Sequence, residues 1–181
     1  ELIKSTDDAL WREGLNALLI EHNDEAARAI ISLLDDKAWH KREAAAKTLI
    51  EWGPDICDRL IASLNQTQPD QFYWILYILG HIGDEKSLHC VKHILTHQDS
   101  EFRGYAVRTL AFHKKIENAR SLYHMLSDPN WAVRKLCFEQ LLTFDRLILD
   151  DLRKIIVTPS KVPNHSVIAL FVKIGQDEVI E

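Results

Sequence analysis

No stretch of this sequence alternates apolar and polar residues with period two between turn residues, so nothing in it reads as a half-buried strand. No apolar run reaches the roughly 18 residues that a membrane-spanning helix requires. Cysteine is scarce: Cys57, Cys90 and Cys137 are odd in number and form no CxxC pair, and buried reduced thiols in a cytoplasmic protein are expected. Positive charge is not in excess. With 22 Lys and Arg against 27 Asp and Glu, the net charge of −5 implies no general attraction to nucleic acid or to an anionic membrane. GxSxG, Walker and HExxH motifs and a Cys-His arrangement are missing, and none of the nine histidines is followed by Glu.

What the sequence does contain is a period. Its 181 residues, 46% of them hydrophobic, suffice for one domain with a sizeable core, and we expect a single domain over residues 1–181. The chain begins at Glu1 rather than Met, so it is expected to be a piece of a longer protein. Ser127 to Ile156 reads as two helices joined by a tight turn. The first carries Val133, Leu136, Cys137, Leu141 and Phe144 at helical spacing, and the second carries Leu149, Leu152, Ile155 and Ile156. Two short helices bury too little to stand alone, and the remainder of the chain supplies copies to stack on them.

Taking Arg134 as an anchor and stepping back gives Arg103, Phe72, Arg42 and Arg12, at intervals of 31, 31, 30 and 30. Seven residues after each anchor comes Leu19, Leu49, Leu79, Leu110 or Leu141. The second helices end at Leu34, Leu64, Leu95, Leu126 and Ile156, each eight residues before the next unit's anchor position. Gly53-Pro54, Gly83-Asp84 and Gly175 mark turns inside units, while Asp35-Asp36, Pro69-Asp70, Asp99-Ser100 and Asp128-Pro129 open first helices. The pattern predicts first helices over 7–21, 38–52, 69–82, 99–113, 129–144 and 163–174. Second helices are predicted over 24–34, 55–65, 84–96, 117–127 and 146–156, and the sixth is cut short by the end of the chain.

Asp128 to Arg134, DPNWAVR, and Asp36 to Ala46, DKAWHKREAAA, resemble HEAT repeats, most nearly the short bacterial, phycobilisome-lyase-like type. The resemblance covers essentially the whole chain. It implies an all-α fold: a right-handed α-solenoid of about five and a half antiparallel helix pairs, with 30–31-residue repeats and second helices lining a concave groove. It also implies a ladder in which each anchor Arg reaches an Asp at the head of a neighbouring first helix.

Several residues depart from the pattern or cluster suggestively. Phe72 replaces the anchor Arg, and Tyr73 and Tyr77 stand where other units carry Glu43, Lys135, Lys47, Arg108 and Glu139. Phe72, Tyr73 and Tyr77 are therefore expected to form an aromatic convex patch able to hold a partner, while Trp74 is expected in the core and Asp70 is expected to lack a guanidinium partner. Trp39 and Trp131 share one repeat position and are expected to pack over turn backbone. Positions expected to face the groove are Arg28, Ser32, Asp58, Arg59, Ala62, His89, His93, Arg120, His124, Asp150 and Lys154. Acids gather at second-helix starts, as the helix dipole favours, leaving Arg28, Arg59, His89, His93, Arg120, His124 and Lys154 as the candidate partner-binding floor. His89, His93 and His97 fall at i, i+4 and i+8, and His124 occupies the repeat position of His93 one helix on. Without a carboxylate-bearing His motif the expectation is no metal and no cofactor.

The function that fits is a non-catalytic protein-binding scaffold, whose partner is a protein or a flanking domain of the same chain. Two alternatives remain. A HEAT-like DNA glycosylase needs a basic groove, whereas second-helix residues 24–34, 54–64, 84–95, 117–126 and 146–156 hold nine acids and eight bases, which disfavours nucleic acid. A bilin lyase or chromophore chaperone is suggested by the repeat subtype alone.

Overall fold

The computed structural model describes residues 2–5, 7–64, 68–158 and 164–175. Among them are eleven α-helices and no strand, arranged as the helix pairs of an all-α solenoid. First helices are α1 (Asp8–Glu21), α3 (Trp39–Glu51), α5 (Pro69–Ile82), α7 (Ser100–Ala111), α9 (Trp131–Leu142) and α11 (Asn164–Gly175). Second helices are α2 (Asp24–Ser32), α4 (Cys57–Ser63), α6 (Glu85–Ile94), α8 (Ile116–Leu122) and α10 (Leu149–Val157). The second helices of most pairs are lengthened by a 3₁₀ turn: Leu33–Asp35 after α2, Gly53–Ile56 before α4, Tyr123–Ser127 after α8 and Asp145–Ile148 before α10. These turns account for the predicted spans that exceed the α-helical ones. The second helix expected in the sixth unit lies outside the described residues.

Side-chain caps set several of the helix starts. Asp7 accepts the Ala9 and Leu10 N–H groups, Asn23 that of Ala26, Asp99 that of Glu101 and Asn130 that of Ala132. The start of α9 therefore lies two residues later than Asp128-Pro129 suggests, because Asn130 is the cap. A left-handed residue then breaks each pair eleven residues after its anchor: Gly53 at φ 66°, Gly83 at 61°, Lys114 at 49° and Asp145 at 50°. His22, at φ 45°, does the same ten residues after Arg12. Glycine marks this turn in only two of the five units, and elsewhere a side chain bears the strain.

Packing divides the chain into two compact units, residues 1–88 and 89–181. In the first, α3 stacks on α5, and α2 with its 3₁₀ turn packs beneath α3. Trp11 of α1 meets His40 of α3 at 5.7 Å between ring centroids, and Lys41 reaches back to the Ser5 carbonyl at 2.7 Å. His22 stacks on Trp52 at 4.5 Å. The N-terminal 3₁₀ turn Leu2–Lys4 lies so close to α1 that a Cβ on Gly14 would fall 2.8 Å from the Ile3 nitrogen. In the second unit α7 stacks on α9, and α9 and α10 both pack on α11. Asn118, buried between α7 and α8, donates to the Leu110 carbonyl at 3.0 Å, which satisfies a polar side chain inside an otherwise apolar seam.

The repeated leucines form the core as expected in four of five units. Leu49, Leu79, Leu110 and Leu141 are fully buried, whereas Leu19 is half-buried. Truncating a buried leucine removes its transfer energy and leaves a cavity. Leu49→Ala, Leu110→Ala and Leu141→Ala are each expected to lose about 2–5 kcal/mol in urea denaturation. Conversely, Asp145→Gly relieves a left-handed side chain and is expected to raise stability by about 0.5–1 kcal/mol in the same measurement.

Candidate binding surfaces

The anchor position is buried at Phe72 and Arg103, half-buried at Arg42 and exposed at Arg12 and Arg134. Arg103 is only 8% exposed and grips Asp128 with two hydrogen bonds, Nε to Oδ2 at 2.7 Å and Nη2 to Oδ1 at 2.8 Å. Its Nη1 donates to the His97 and Gln98 carbonyls at 2.8 and 2.9 Å. Arg42 and Arg134 make the equivalent bond to the carbonyl six residues before them, at Asp36 (2.9 Å) and Asp128 (2.6 Å). The shared role of the anchor is thus to tie down the loop leading into its own helix. The ladder to the next unit is tight at Arg103–Asp128 and loose at Arg42–Asp70, where the closest approach is 3.9 Å. Asp70 accordingly has a guanidinium nearby, contrary to the expectation for a broken ladder. Arg12 is exposed, with its guanidinium 5.6 Å from the Trp11 ring centroid.

This geometry corrects the reading of Phe72. An anchor site closed enough to bury Arg103 buries a phenylalanine too, and Phe72 is 3% exposed. It belongs to the core and not to a surface patch. What remains outside on α5 is a run of rings, all half-buried. Tyr73 meets Trp74 edge-on at 5.5 Å, Trp74 meets Tyr77 edge-on at 5.5 Å, and Tyr77 lies 4.0 Å from His81. Trp74 is therefore part of this surface cluster rather than fully core. On α3 the Lys47–Glu43 pair, 2.8 Å apart, lies alongside, and Lys47 interacts electrostatically with Tyr77. Between α1 and α3 a groove of 510 Å³ is lined by Trp11, Arg12, Leu15, Glu43 and Lys47, among others. Trp39 and Trp131 do not cover turn backbone as expected. Each is the first residue of its helix, and they are 63% and 66% exposed.

The positions named on the second helices lie mostly at the surface. Arg28, Ser32, Asp58, Ala62, His89, His93, Arg120, His124, Asp150 and Lys154 are exposed, and Arg59 is half-buried. Two of the expected partner-binding bases are already engaged between neighbouring helices. Arg59 Nε donates to Asp24 at 2.6 Å, and Arg120 holds both carboxylate oxygens of Asp151 at 2.6 and 3.0 Å. Lys86 pairs with Asp58 in the same manner. The bond from Arg120 holds the Asp151 carboxyl below the usual carboxylate range. This inter-helix relay escaped sequence reading, although each pair is an acid and a base about one period apart.

The predicted histidine row is shorter than its spacing suggested. Helix α6 ends at Ile94, so His97 falls in the following turn, where its Nδ1 accepts the Asp99 N–H at 3.0 Å and its ring packs on Phe102. His89 and His93 remain adjacent on the helix, 4.7 Å between centroids. No group of three or more metal-ligating side chains occurs among the described residues. Cys57 is buried with its Sγ 3.0 Å from Ser87 Oγ and 3.6 Å from Asp84, and burial pushes its thiol up to about 11.

No family model and no curated protein matches the sequence. Among solved structures the chain is similar to an engineered protein at 17% identity, covering 97% of this chain and 94% of that one with a TM-score of 0.45. It is similar to the CpcE–CpcF complex of phycocyanin lyase from Nostoc sp. PCC7120 at 18% identity, covering 96% and 77% with a TM-score of 0.40. A designed armadillo repeat protein aligns at 13% identity over 96% and 97% with a TM-score of 0.41.

The Arg103–Asp128 pair is buried, so its loss costs more than the roughly 1 kcal/mol of a partly exposed pair. Burial alone would raise the Asp128 carboxyl, but the Arg103 hydrogen bonds and the Asn130 N–H hold it below its ordinary value of 3.8. Its stabilisation is complete above that ordinary value and is lost as pH falls through the lower folded one. Arg103→Met is expected to cost about 3–5 kcal/mol at neutral pH, because it strands a buried carboxylate. Urea midpoints should decline in acid for the natural sequence and decline less steeply for Asp128→Asn.

Proposed function

We propose that this chain is a non-catalytic protein-binding scaffold, holding a protein partner or a neighbouring domain against the ring-bearing face of α5 and the exposed rows of its second helices. The observation that carries the reading is the cluster of Tyr73, Trp74, Tyr77 and His81, four rings in mutual contact on the outside of one helix. Tyr73 and Tyr77 stand where other units carry Glu43, Lys135, Lys47, Arg108 and Glu139, and folding alone gives no reason to replace those charges with rings. Tyrosine and tryptophan offer large contact area at small entropy cost, which is why they anchor interfaces. A polar border is present in the Glu43–Lys47 pair of α3.

Two further observations support a binding rather than a chemical role. The Cys57 thiol is held protonated inside the fold, the opposite of an activated nucleophile. Arg59, Lys86 and Arg120 are each neutralised by an aspartate on an adjacent second helix, which removes the charge that a phosphate backbone would need. Three free cysteines suit a reducing, cytoplasmic setting. No helix among the described residues is long and apolar enough to cross a membrane.

Selecting a displayed peptide library against the chain tests this. Enriched peptides are expected to bind the natural sequence and to weaken about tenfold or more against Tyr73→Glu/Tyr77→Lys, while the double variant melts within a few degrees of the parent. Peptides that bind both proteins equally, or a double variant that unfolds, would remove the α5 face from the reading.

A further inference from the structure

We propose that His89 and His93 form a two-point chelate for a late divalent transition metal, with Cu(II) the best fit, on the exposed face of α6. The two residues stand four apart in a helix that runs Glu85–Ile94, so both side chains rise from one face. Both are exposed, and neither ring takes a hydrogen bond or ion pair among the described residues. Their nitrogen lone pairs are therefore not committed elsewhere. That separates them from His97, whose Nδ1 is used by the Asp99 N–H, and from His81, whose Nδ1 lies 2.8 Å from the Tyr77 carbonyl.

The ring spacing is compatible with one ion held by a nitrogen of each ring. A metal about 2.1 Å from a ring nitrogen lies about 3.2 Å from that ring's centroid, and two such rings at about 95° put their centroids about 4.7 Å apart. The measured centroid separation is 4.7 Å, with the planes inclined at 72°. Imidazole nitrogen is a ligand that suits Cu(II), and affinity in the divalent series is greatest for Cu(II). Two protein nitrogens leave the remaining positions to water, so the site is open and exchangeable rather than structural. Its formation does not depend on the α5 face or on any partner.

Titration of the whole chain with Cu(II) in a weakly coordinating buffer tests the site, read by electron paramagnetic resonance and by equilibrium dialysis. The expected result is one tight equivalent whose spectrum carries nitrogen hyperfine structure. H89Q and H93Q should each weaken that equivalent by about tenfold or more, since either change removes the intramolecular second ligand. H124Q should leave it unchanged. Zn(II) should bind the same site more weakly than Cu(II). Both H89Q and H93Q sit on the surface and should keep the melting temperature of the metal-free parent. Retained binding in H89Q or H93Q, a spectrum without nitrogen coupling, or zinc binding tighter than copper would overturn the proposal.

Discussion

The anchor guanidinium is the contact on which the repeat depends. A unit of about thirty residues needs two helices, a left-handed turn between them and a loop to the next unit, and that loop ends in carbonyls with no helical partner. Arg42, Arg103 and Arg134 each reach back six residues to satisfy one of those carbonyls. The planar fork allows Arg103 to do this with one nitrogen while two others hold a carboxylate ahead of the next helix. Asp128 in turn receives the N–H of Asn130, which caps α9. A loop carbonyl, an ion pair and a helix start are thereby fixed by neighbouring side chains in one small volume.

Periodicity made the helices and their order legible before any coordinates, because apolar spacing and three recurring landmarks agreed over five units. The same count placed Arg28, Asp58, His89, Arg120 and Lys154 at one repeat face, and these residues are exposed. The turns were legible only where glycine stood, at Gly53 and Gly83, since His22, Lys114 and Asp145 adopt the same left-handed backbone without announcing it. Surface and core were harder to separate on the first helices. Phe72 was misread because an arginine position is ordinarily taken as wet, whereas Arg103 shows that the site can close. Trp39 and Trp131 were misread because a large ring is ordinarily taken as covered, whereas the first residue of a helix can project beyond the stack.

Charge on the second helices was the other blind spot. A sequence count of nine acids and eight bases gives near neutrality but not its arrangement. The coordinates turn that count into cross-helix pairs, Arg59 with Asp24, Lys86 with Asp58 and Arg120 with Asp151. Exposed pairs of this kind contribute little to stability individually, but they set the local field by cancelling bases that would otherwise stand alone. Outside these pairs, α6 exposes the adjacent rings of His89 and His93, and α5 carries a set of rings.

The burial of Phe72 also bears on how such an array changes over generations. Once a ring fills a site built for a guanidinium, the acceptors around that site are released from selection and can drift. Restoring arginine first would then bury a charge without its carboxylate, while restoring the carboxylate first confers nothing on a chain that still carries phenylalanine. The substitution acts as a ratchet. A unit that carries phenylalanine there is free to specialise its outer face while its neighbours are still bound by their arginines.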